Sequence, residues 1–231
     1  MNDILAFSSK LRSKHLLPFL VPTLVLALVL GIILLLRPKG ELHLMLCQPH
    51  TPWLDAVTPF YTNLVNTMPY ILVLIPLLLY RFGWAAFLGS NLLLSTLIVQ
   101  PIKHIVRAPR PLTWFAENMP DVSLPLVEGV KMNHYLSFPS GHTTTFFVVF
   151  FTASIIVCAE NFKGKTLLSI IFFFLACFGA YTRIYLSQHF ALDIFAGIGV
   201  AVISTLIVYY IFVKNANNPR FWGEKEEKLR K

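Results

Sequence analysis

The sequence predicts an all-α, polytopic membrane protein with six transmembrane helices in one bundle, because of its composition and its charge pattern. Of its 231 residues, 56% are hydrophobic and 13% are charged, which is about half the charge of a typical soluble domain. The charges are clustered, so that long uncharged runs lie between them. A helix needs about 20 apolar residues to cross a bilayer, and six runs approach that length.

The first run, Leu17–Leu36, follows three basic residues and could be a signal peptide. It is longer than the usual apolar region of roughly 7–15 residues, and no small-x-small cleavage site follows, so we interpret it as a retained anchor. The other runs cover residues 56–80 (apolar core 68–80), 82–102, 143–159, 166–182 and 194–213. The six-helix membrane domain is therefore predicted over residues 1–213, and residues 214–231 are predicted to form a charged cytoplasmic tail.

The distribution of lysine and arginine predicts the orientation. Six crossings place both termini on one side of the membrane. If that side is the cytoplasm, it holds more of the 19 basic residues than the outside does, as the positive-inside rule requires. The basic residues that remain outside are Arg37, Lys39, Lys103, Arg107, Arg110, Lys131 and Arg183. Helix parity then brings residues 103–111, 139–142 and 183–193 to the same outer face, where we expect the active site.

The composition favours neither a nucleic-acid partner nor a disulfide framework. A net charge of +8 would suit a nucleic-acid partner, but no basic stripe interleaved with aromatic residues lies outside the apolar runs. We therefore expect no nucleic-acid partner. The three cysteines, Cys47, Cys158 and Cys177, are odd in number and lack metal-ligand spacing. Two of them lie in predicted membrane segments, so no disulfide framework is expected.

Residues 139–142 (PSGH) have the pattern of a helix start. Pro139 ends any preceding helix, and Ser140 is a good N-cap for the next one. Gly141 allows close approach of the backbone, and the free N–H groups at a helix start form an anion site. Taken alone, this pattern is more often an ordinary cap with an interfacial histidine, here His142.

Residues 183–193 (RIYLSQHFALD) combine an imidazole with a carboxylate. His189 and Asp193 are four residues apart and would share one helix face. Asp193 can then accept a hydrogen bond from one ring nitrogen and leave the other free to attack. Arg183 would lie on a different face of a continuous helix, so the chain must turn around residues 186–188, with Ser187 as a plausible cap. The alternative is a structural His–Asp pair, although ionisable residues at membrane helix ends are usually functional.

Residues 103–111 (KHIVRAPRP) supply two further cations. Arg110 stands between Pro109 and Pro111 and is therefore held rigidly, as a bidentate phosphate contact requires. The alternative for Lys103 and Arg110 is a pair of snorkelling interfacial cations. That interpretation suits Arg107.

The three motifs, in this order and on one face, resemble the three-part signature of the type 2 phosphatidic acid phosphatase superfamily: Lys103…Arg110-Pro111, Pro139-Ser140-Gly141-His142 and Arg183…His189…Asp193. The layout resembles the bacterial membrane branch of that family, over residues 16–213. Thr182 stands where the family usually has serine, and it keeps the hydroxyl. The resemblance implies a lipid phosphatase of the bacterial inner membrane that needs no cofactor, and it leaves the oligomeric state open.

The resemblance and the side-chain chemistry imply the same roles. His189 attacks phosphorus and becomes a phosphohistidine, Asp193 orients His189, and His142 protonates the leaving oxygen and then activates water. The phosphate oxygens are held by a second group of residues: Lys103, Arg110, Ser140, Gly141 and Arg183. The two histidines and the aspartate are zinc-type ligands, but three cations aimed at one pocket would repel a metal ion, so no metal is expected.

The substrate is less well specified. Family analogy favours polyprenyl pyrophosphate, with phosphatidylglycerol phosphate, phosphatidate and lipid A 1-phosphate as rivals. Residues 112–138 are expected to select the headgroup, with these candidates: Trp114, Phe115, Glu117, Asp121, Glu128 and His134. One alternative is a lipid phosphotransferase that uses the same phosphohistidine. Another is a non-enzymatic lipid transporter, for which Asn91 and Ser95 are the obvious mid-bilayer polar cluster.

Overall fold

The computed structural model describes residues 11–48, 50–65 and 73–214, and the regular structure in these residues is helical. A 3-10 turn, Ser13–His15, precedes the first α-helix. The α-helices are α1 Leu17–Leu36, α2 Lys39–Cys47, α3 Pro52–Asn63, α4 Ile75–Tyr80, α5 Phe82–Val106, α6 Pro111–Asn118, α7 Gly141–Ala159, α8 Lys165–Tyr185 and α9 Ala191–Lys214. The predicted all-α class is confirmed for the described part of the chain.

Five helical segments among the described residues are long and apolar enough to cross a membrane: Leu17–Leu36, Phe82–Asn118, Gly141–Ala159, Lys165–Tyr185 and Ala191–Lys214. The second of these contains two helices, α5 and α6, because the chain leaves the helix at Arg107, whose φ is 48°. The chain is thus a multi-pass membrane protein. The sixth predicted span, residues 56–80, stays a prediction, since α3 and α4 cover its ends and residues 66–72 lie outside the described residues. The predicted tail lies outside them from residue 215 onward.

Helix α7 lies at the centre of the bundle and packs against α5, α8 and α9, while α1 packs against α8 and α9. Buried aromatic rings join these helices. The ring of Phe19 on α1 stacks on Phe151 of α7 with centroids 4.8 Å apart, and it meets Phe147 and Phe173 edge-on at 6.0 Å. In a bilayer such van der Waals packing, rather than exclusion of water, holds helices together.

A polar contact ties three helices together in the middle of the bundle. Asn91 on α5 donates to Thr205 Oγ1 on α9 at 2.7 Å and to Thr152 Oγ1 on α7 at 3.5 Å. Ser95 donates to the carbonyl of Leu92 on its own helix. Interhelical hydrogen bonds of this kind stabilise membrane bundles, so Asn91 has a packing role.

A glycine sets the distance between α7 and α9. A Cβ atom at Gly197 would lie 2.8 Å from the backbone oxygen of Ser140 and 3.2 Å from Thr143 Cβ. The carbonyl of Gly197 accepts a hydrogen bond from Thr144 Oγ1 at 3.1 Å. Helix α9 therefore packs directly against the first turn of α7, which places the ends of two predicted motifs side by side.

Candidate active site

The third motif begins at a tight turn between α8 and α9. The backbone N–H of Gln188 donates to the Arg183 carbonyl at 3.0 Å, and that of Ser187 donates to the Ile184 carbonyl at 2.9 Å. With Ser187 at φ 49°, this is the Schellman arrangement that ends a helix. The predicted turn is confirmed, but Ser187 occupies the left-handed position that terminates α8 and does not start the next helix.

Asp193 reaches back over the start of α9. Its Oδ2 accepts from the backbone N–H of Phe190 at 2.9 Å, which is half of a capping box. The same atom lies 3.4 Å from His189 Nδ1. The prediction that His189 and Asp193 share a helix face is wrong, because α9 begins at Ala191 and His189 precedes it. The pair still meets, because Asp193 folds back toward the residues that precede its helix.

The second motif starts α7 as predicted. Ser140 is the N-cap, and its Oγ accepts from the Thr143 N–H at 3.4 Å and from Thr143 Oγ1 at 3.0 Å. The Ser140 N–H donates to the carbonyl of Asp193 at 3.0 Å, which ties this motif to the third one. A Cβ at Gly141 would lie 3.8 Å from Lys103 Cε, an ordinary van der Waals distance, so the start of α7 packs beside that lysine.

The two cations of the first motif are held by the irregular segment that precedes α7. Lys103 Nζ donates to the Leu136 carbonyl at 2.7 Å, and Arg110 Nε donates to the Tyr135 carbonyl at 3.0 Å. Arg110 Nη1 also donates to Gln188, to the side-chain Oε1 at 2.9 Å and to the backbone oxygen at 3.2 Å. The guanidinium is therefore fixed from two sides.

Arg183 is only 6% exposed and contacts a residue that the sequence does not point to. Its Nη1 donates to Thr62 Oγ1 on α3 at 2.6 Å. Its Nε has no hydrogen-bond partner among the described residues, so this guanidinium has a buried N–H to offer an anion. No motif indicates Thr62, because only the packing of α3 against α8 brings it near Arg183.

A cavity of about 740 Å³ opens at this end of the bundle, a volume typical of small-molecule sites. The predicted site residues that line it are Lys103, Arg110, Gly141, His142 and His189. The other three predicted residues, Ser140, Arg183 and Asp193, are buried and contact its wall or belong to the turns that build it. Its α5 wall comprises Ser95, Thr96, Val99, Gln100 and Lys103.

The segment predicted to select the headgroup contributes to this cavity through residues that lie near its end: Asn133, His134, Tyr135 and Leu136. Of the candidates named from the sequence, His134 is among the lining residues. Phe115 is instead 2% exposed and stacks on Phe190 at 6.4 Å. Trp114 packs edge-on against Phe190 and lies under Lys39 Nζ, so these two aromatic residues anchor α6.

The electrostatics of the site favour an anion and a neutral imidazole at His189. Burial lowers the pKa of His189 to about 3, and the charges of Arg110 and Arg183 act in the same direction, while Asp193 opposes them. The imidazole is therefore neutral near pH 7 and keeps a lone pair. Within the described residues, no three His, Cys, Asp or Glu side chains cluster in a metal-binding arrangement.

The three motifs and their convergence at one cavity are matched by a family comparison. The profile of the PAP2 superfamily matches residues 84–217, more than half of the chain. The chain belongs to the PAP2 superfamily. This confirms the resemblance predicted from the motifs, and the matched part of this PAP2 protein contains all three of them. A comparison with curated proteins gave no match.

Two solved structures resemble this PAP2 protein over most of its length. The crystal structure of Aquifex aeolicus LpxE is 26% identical, with a TM-score of 0.59, and the match covers 74% of this chain and 93% of that one. The second is the crystal structure of a transmembrane PAP2-type phosphatidylglycerolphosphate phosphatase from Bacillus subtilis. It is 22% identical, with a TM-score of 0.60, and covers 91% of this chain and 98% of that one, which shows a shared fold.

Proposed function

We propose that this PAP2 protein is an integral membrane lipid phosphatase that hydrolyses phosphate-monoester or pyrophosphate headgroups. The observation that carries the proposal is one cavity lined by His142, His189, Lys103 and Arg110 in a bundle of apolar helices. The B. subtilis neighbour is named for a phosphorylated lipid, and we extend only that substrate class to this chain. Family membership supports phosphatase chemistry.

Three cations and a helix start bind the phosphate in this proposal. Lys103 and Arg110 line the cavity, and Arg183 keeps an unpartnered Nε among the described residues. Backbone N–H groups in the first turn of α7, at Gly141 and the residue after it, have no partner within the helix and lie at the positive end of its dipole. The Ser140 hydroxyl accepts two hydrogen bonds from Thr143 and keeps its own proton for a phosphate oxygen.

The first chemical step is displacement at phosphorus. His189 Nε2 donates its lone pair and forms the N–P bond while the P–O bond to the lipid breaks. The electron pair of that bond goes to the leaving oxygen, which takes a proton from His142. Asp193 holds the Nδ1 side of His189 and stabilises the positive charge that the imidazole acquires.

The second step releases phosphate. Water attacks phosphorus while His142 accepts one of its protons, and the N–P bond breaks with return of its electron pair to His189. Lys103, Arg110 and Arg183 stabilise the charge on the phosphoryl oxygens in both steps. The same three cations supply the positive charge that a metal ion would otherwise provide, so we propose a reaction that is independent of metal.

The substrate in this proposal is an amphiphile whose phosphate lies at the outer surface of the inner membrane. The motif residues lie at helix ends, which is headgroup depth for spanning helices. Among such lipids we favour polyprenyl pyrophosphate over phosphatidylglycerol phosphate, phosphatidate and lipid A 1-phosphate.

Release of inorganic phosphate by the purified protein tests the proposal. Each of the four lipids is supplied alone in detergent micelles, with excess EDTA and with His189→Ala as the control. We expect EDTA-resistant release from at least one lipid, and none from His189→Ala. Release that requires a second acceptor lipid would instead identify a phosphotransferase, and loss of activity in EDTA with recovery in zinc would contradict the metal-independent chemistry.

A further inference from the structure

The hydroxyl of Ser137 lies between the proposed nucleophile and the carboxylate that orients it. Ser137 is fully buried, at 0% exposure, and its Oγ donates to Asp193 Oδ2 at 2.5 Å. The same Oγ lies 3.4 Å from His189 Nδ1. The proposed reaction steps assign no role to this hydroxyl.

The Ser137 hydroxyl can donate one hydrogen bond and accept others, and its two neighbours determine which it does. An ionised carboxylate only accepts hydrogen bonds, so Ser137 must direct its one proton to Asp193. Its oxygen lone pairs are then available to the other neighbour, the N–H at His189 Nδ1. That N–H consequently has two acceptors at equal distance, Asp193 Oδ2 at 3.4 Å and Ser137 Oγ at 3.4 Å.

The backbone around Ser137 fixes the hydroxyl relative to all three motifs. The Ser137 N–H donates to the Ala108 carbonyl at 3.0 Å, within the first motif. The preceding carbonyl, that of Leu136, accepts from Lys103 Nζ. Three residues later, the backbone N–H of Ser140 in the second motif donates to the Asp193 carbonyl. Ser137 is therefore attached to the phosphate-binding segment and the helix cap, as well as to the His–Asp pair.

We propose that Ser137 is a positioning residue for His189. Its hydroxyl accepts from Nδ1–H while donating to Asp193, so that the imidazole is held in the tautomer whose lone pair is on Nε2. When the N–P bond forms and the ring becomes cationic, the same acceptor stabilises Nδ1–H more strongly, because hydrogen bonds to charged groups are stronger than neutral ones. This inference rests on the proposed function, since it requires His189 to be the nucleophile.

A structural role for Ser137 makes a different prediction from a positioning role. If the hydroxyl only packs Asp193 into the start of α9, its removal lowers the fraction of correctly folded protein. If it orients His189, its removal slows attack on phosphorus in molecules that are folded. The rate and the final amount of phosphoryl-enzyme separate these two effects.

The experiment measures phosphoryl-enzyme formation in the full-length protein carrying His142→Ala. The probe is a radiolabelled phosphate ester with a good leaving group, which needs no general acid. Adding Ser137→Ala should slow labelling about 10- to 100-fold, the effect expected for one hydrogen bond to a charged group, and leave the final amount of label unchanged. Ser137→Thr keeps the hydroxyl and should restore most of the rate, while Ser204→Ala, another buried serine, should change nothing.

Labelling of the Ser137→Ala protein at the parent rate would overturn the inference. So would equal slowing in Ser137→Ala and Ser137→Thr, because the hydroxyl would then not be the cause. A lower final amount of label at an unchanged rate would assign Ser137 a structural role. If the His142→Ala parent itself acquires no label, the proposed function fails, and that result is distinct from each of these.

Discussion

At the scale of single residues, Arg110 is held by an amide that carries no catalytic signature of its own. The Gln188 side chain accepts from Arg110 Nη1 at 2.9 Å, and its Nε2 donates to the Lys131 carbonyl at 3.2 Å and contacts Met132 Sδ at 3.0 Å. Gln188 thus links Arg110 to the irregular segment whose residues Asn133 to Leu136 line the cavity.

Replacing this amide should weaken phosphate binding. In Gln188→Ala, Arg110 loses its side-chain acceptor, and we expect kcat/KM to fall about tenfold, as for loss of one hydrogen bond to a charged group. The measurement is steady-state phosphate release. Gln48→Ala, at an exposed glutamine, is the control and should behave as wild type. An unchanged kcat/KM in Gln188→Ala would show that the backbone contacts of Arg110 are sufficient.

The sequence indicates residues whose side-chain chemistry is distinctive and does not indicate those that reach the site only through packing. The meeting of Lys103, Arg110, His142 and His189 at one cavity could be predicted, because ionisable side chains at membrane helix ends are rare and costly. Ser137 and Thr62 could not, since a hydroxyl has no comparable signature. Their contacts, to residues 56 and 121 positions away, exist only once the helices have packed.

At the scale of helices, the close approach of α9 to the start of α7 sets the geometry of the site. Gly197→Ala would place a Cβ 2.8 Å from the Ser140 oxygen, so that the first turn of α7 must move. We expect Gly197→Ala to lose most phosphatase activity and to lower Tm, both measured on protein in detergent.

Gly199, two residues along the same helix, provides a matched control. A Cβ there meets no atom within 4 Å, and alanine favours a helix by up to about 1 kcal/mol over glycine. Gly199→Ala should therefore keep its activity, with an equal or higher Tm. Equal activity in the two variants would mean that the contact between Gly197 and Ser140 does not position the site.

Helix α2 depends on a buried neutral histidine. His43 contacts Ser187 Oγ at 3.3 Å and packs against the rings of Phe115 and Phe190. Burial lowers its pKa to about 4 from the ordinary 6.5, with Asp193 raising it and Lys39 lowering it further. At a pH between about 4 and 6.5, His43 is protonated in the unfolded chain and neutral in the folded chain. This contribution to stability is therefore complete above about pH 6.5 and is lost as the pH falls.

The expected loss from His43 between pH 7 and pH 5 is about 2 kcal/mol. Tm measured across this range should fall less in His43→Gln than in wild type, because glutamine does not titrate. His104→Gln, at an exposed histidine, should keep the slope of the wild type. An identical slope in His43→Gln and wild type would show that another group dominates the acid sensitivity.

The long helices could be predicted, but their ends could not. The predicted runs 82–102, 166–182 and 194–213 extend in the structure to Phe82–Val106, Lys165–Tyr185 and Ala191–Lys214. Each apolar run ends where the first charged or polar residue stands, whereas the helical backbone hydrogen bonds continue through such residues. The short helices α2 and α6 were not predicted, because they lie among polar residues and are fixed by tertiary contacts with Phe190.

At the scale of the whole molecule, the convergence of the motifs at one end of the bundle leads to a topology that can be tested. The loop with Ser123 lies on the side of the site, and Lys163 lies in the turn between α7 and α8 at the opposite end; both residues are exposed. In a background without Cys47, Cys158 and Cys177, an impermeant thiol reagent added to intact spheroplasts should label Ser123→Cys and spare Lys163→Cys. The reverse pattern would place the site in the cytoplasm.

The proposed phosphatase chemistry passes through a covalent phosphoryl intermediate on His189. The most direct test is rapid-quench detection of acid-labile phosphoryl label in two full-length variants, with an activated phosphate ester as the donor. His142→Ala should trap the label, because His189 still attacks and no group activates water. His189→Ala should acquire none. Label that persists on His189→Ala, with the same acid lability, would show that His189 is not the nucleophile.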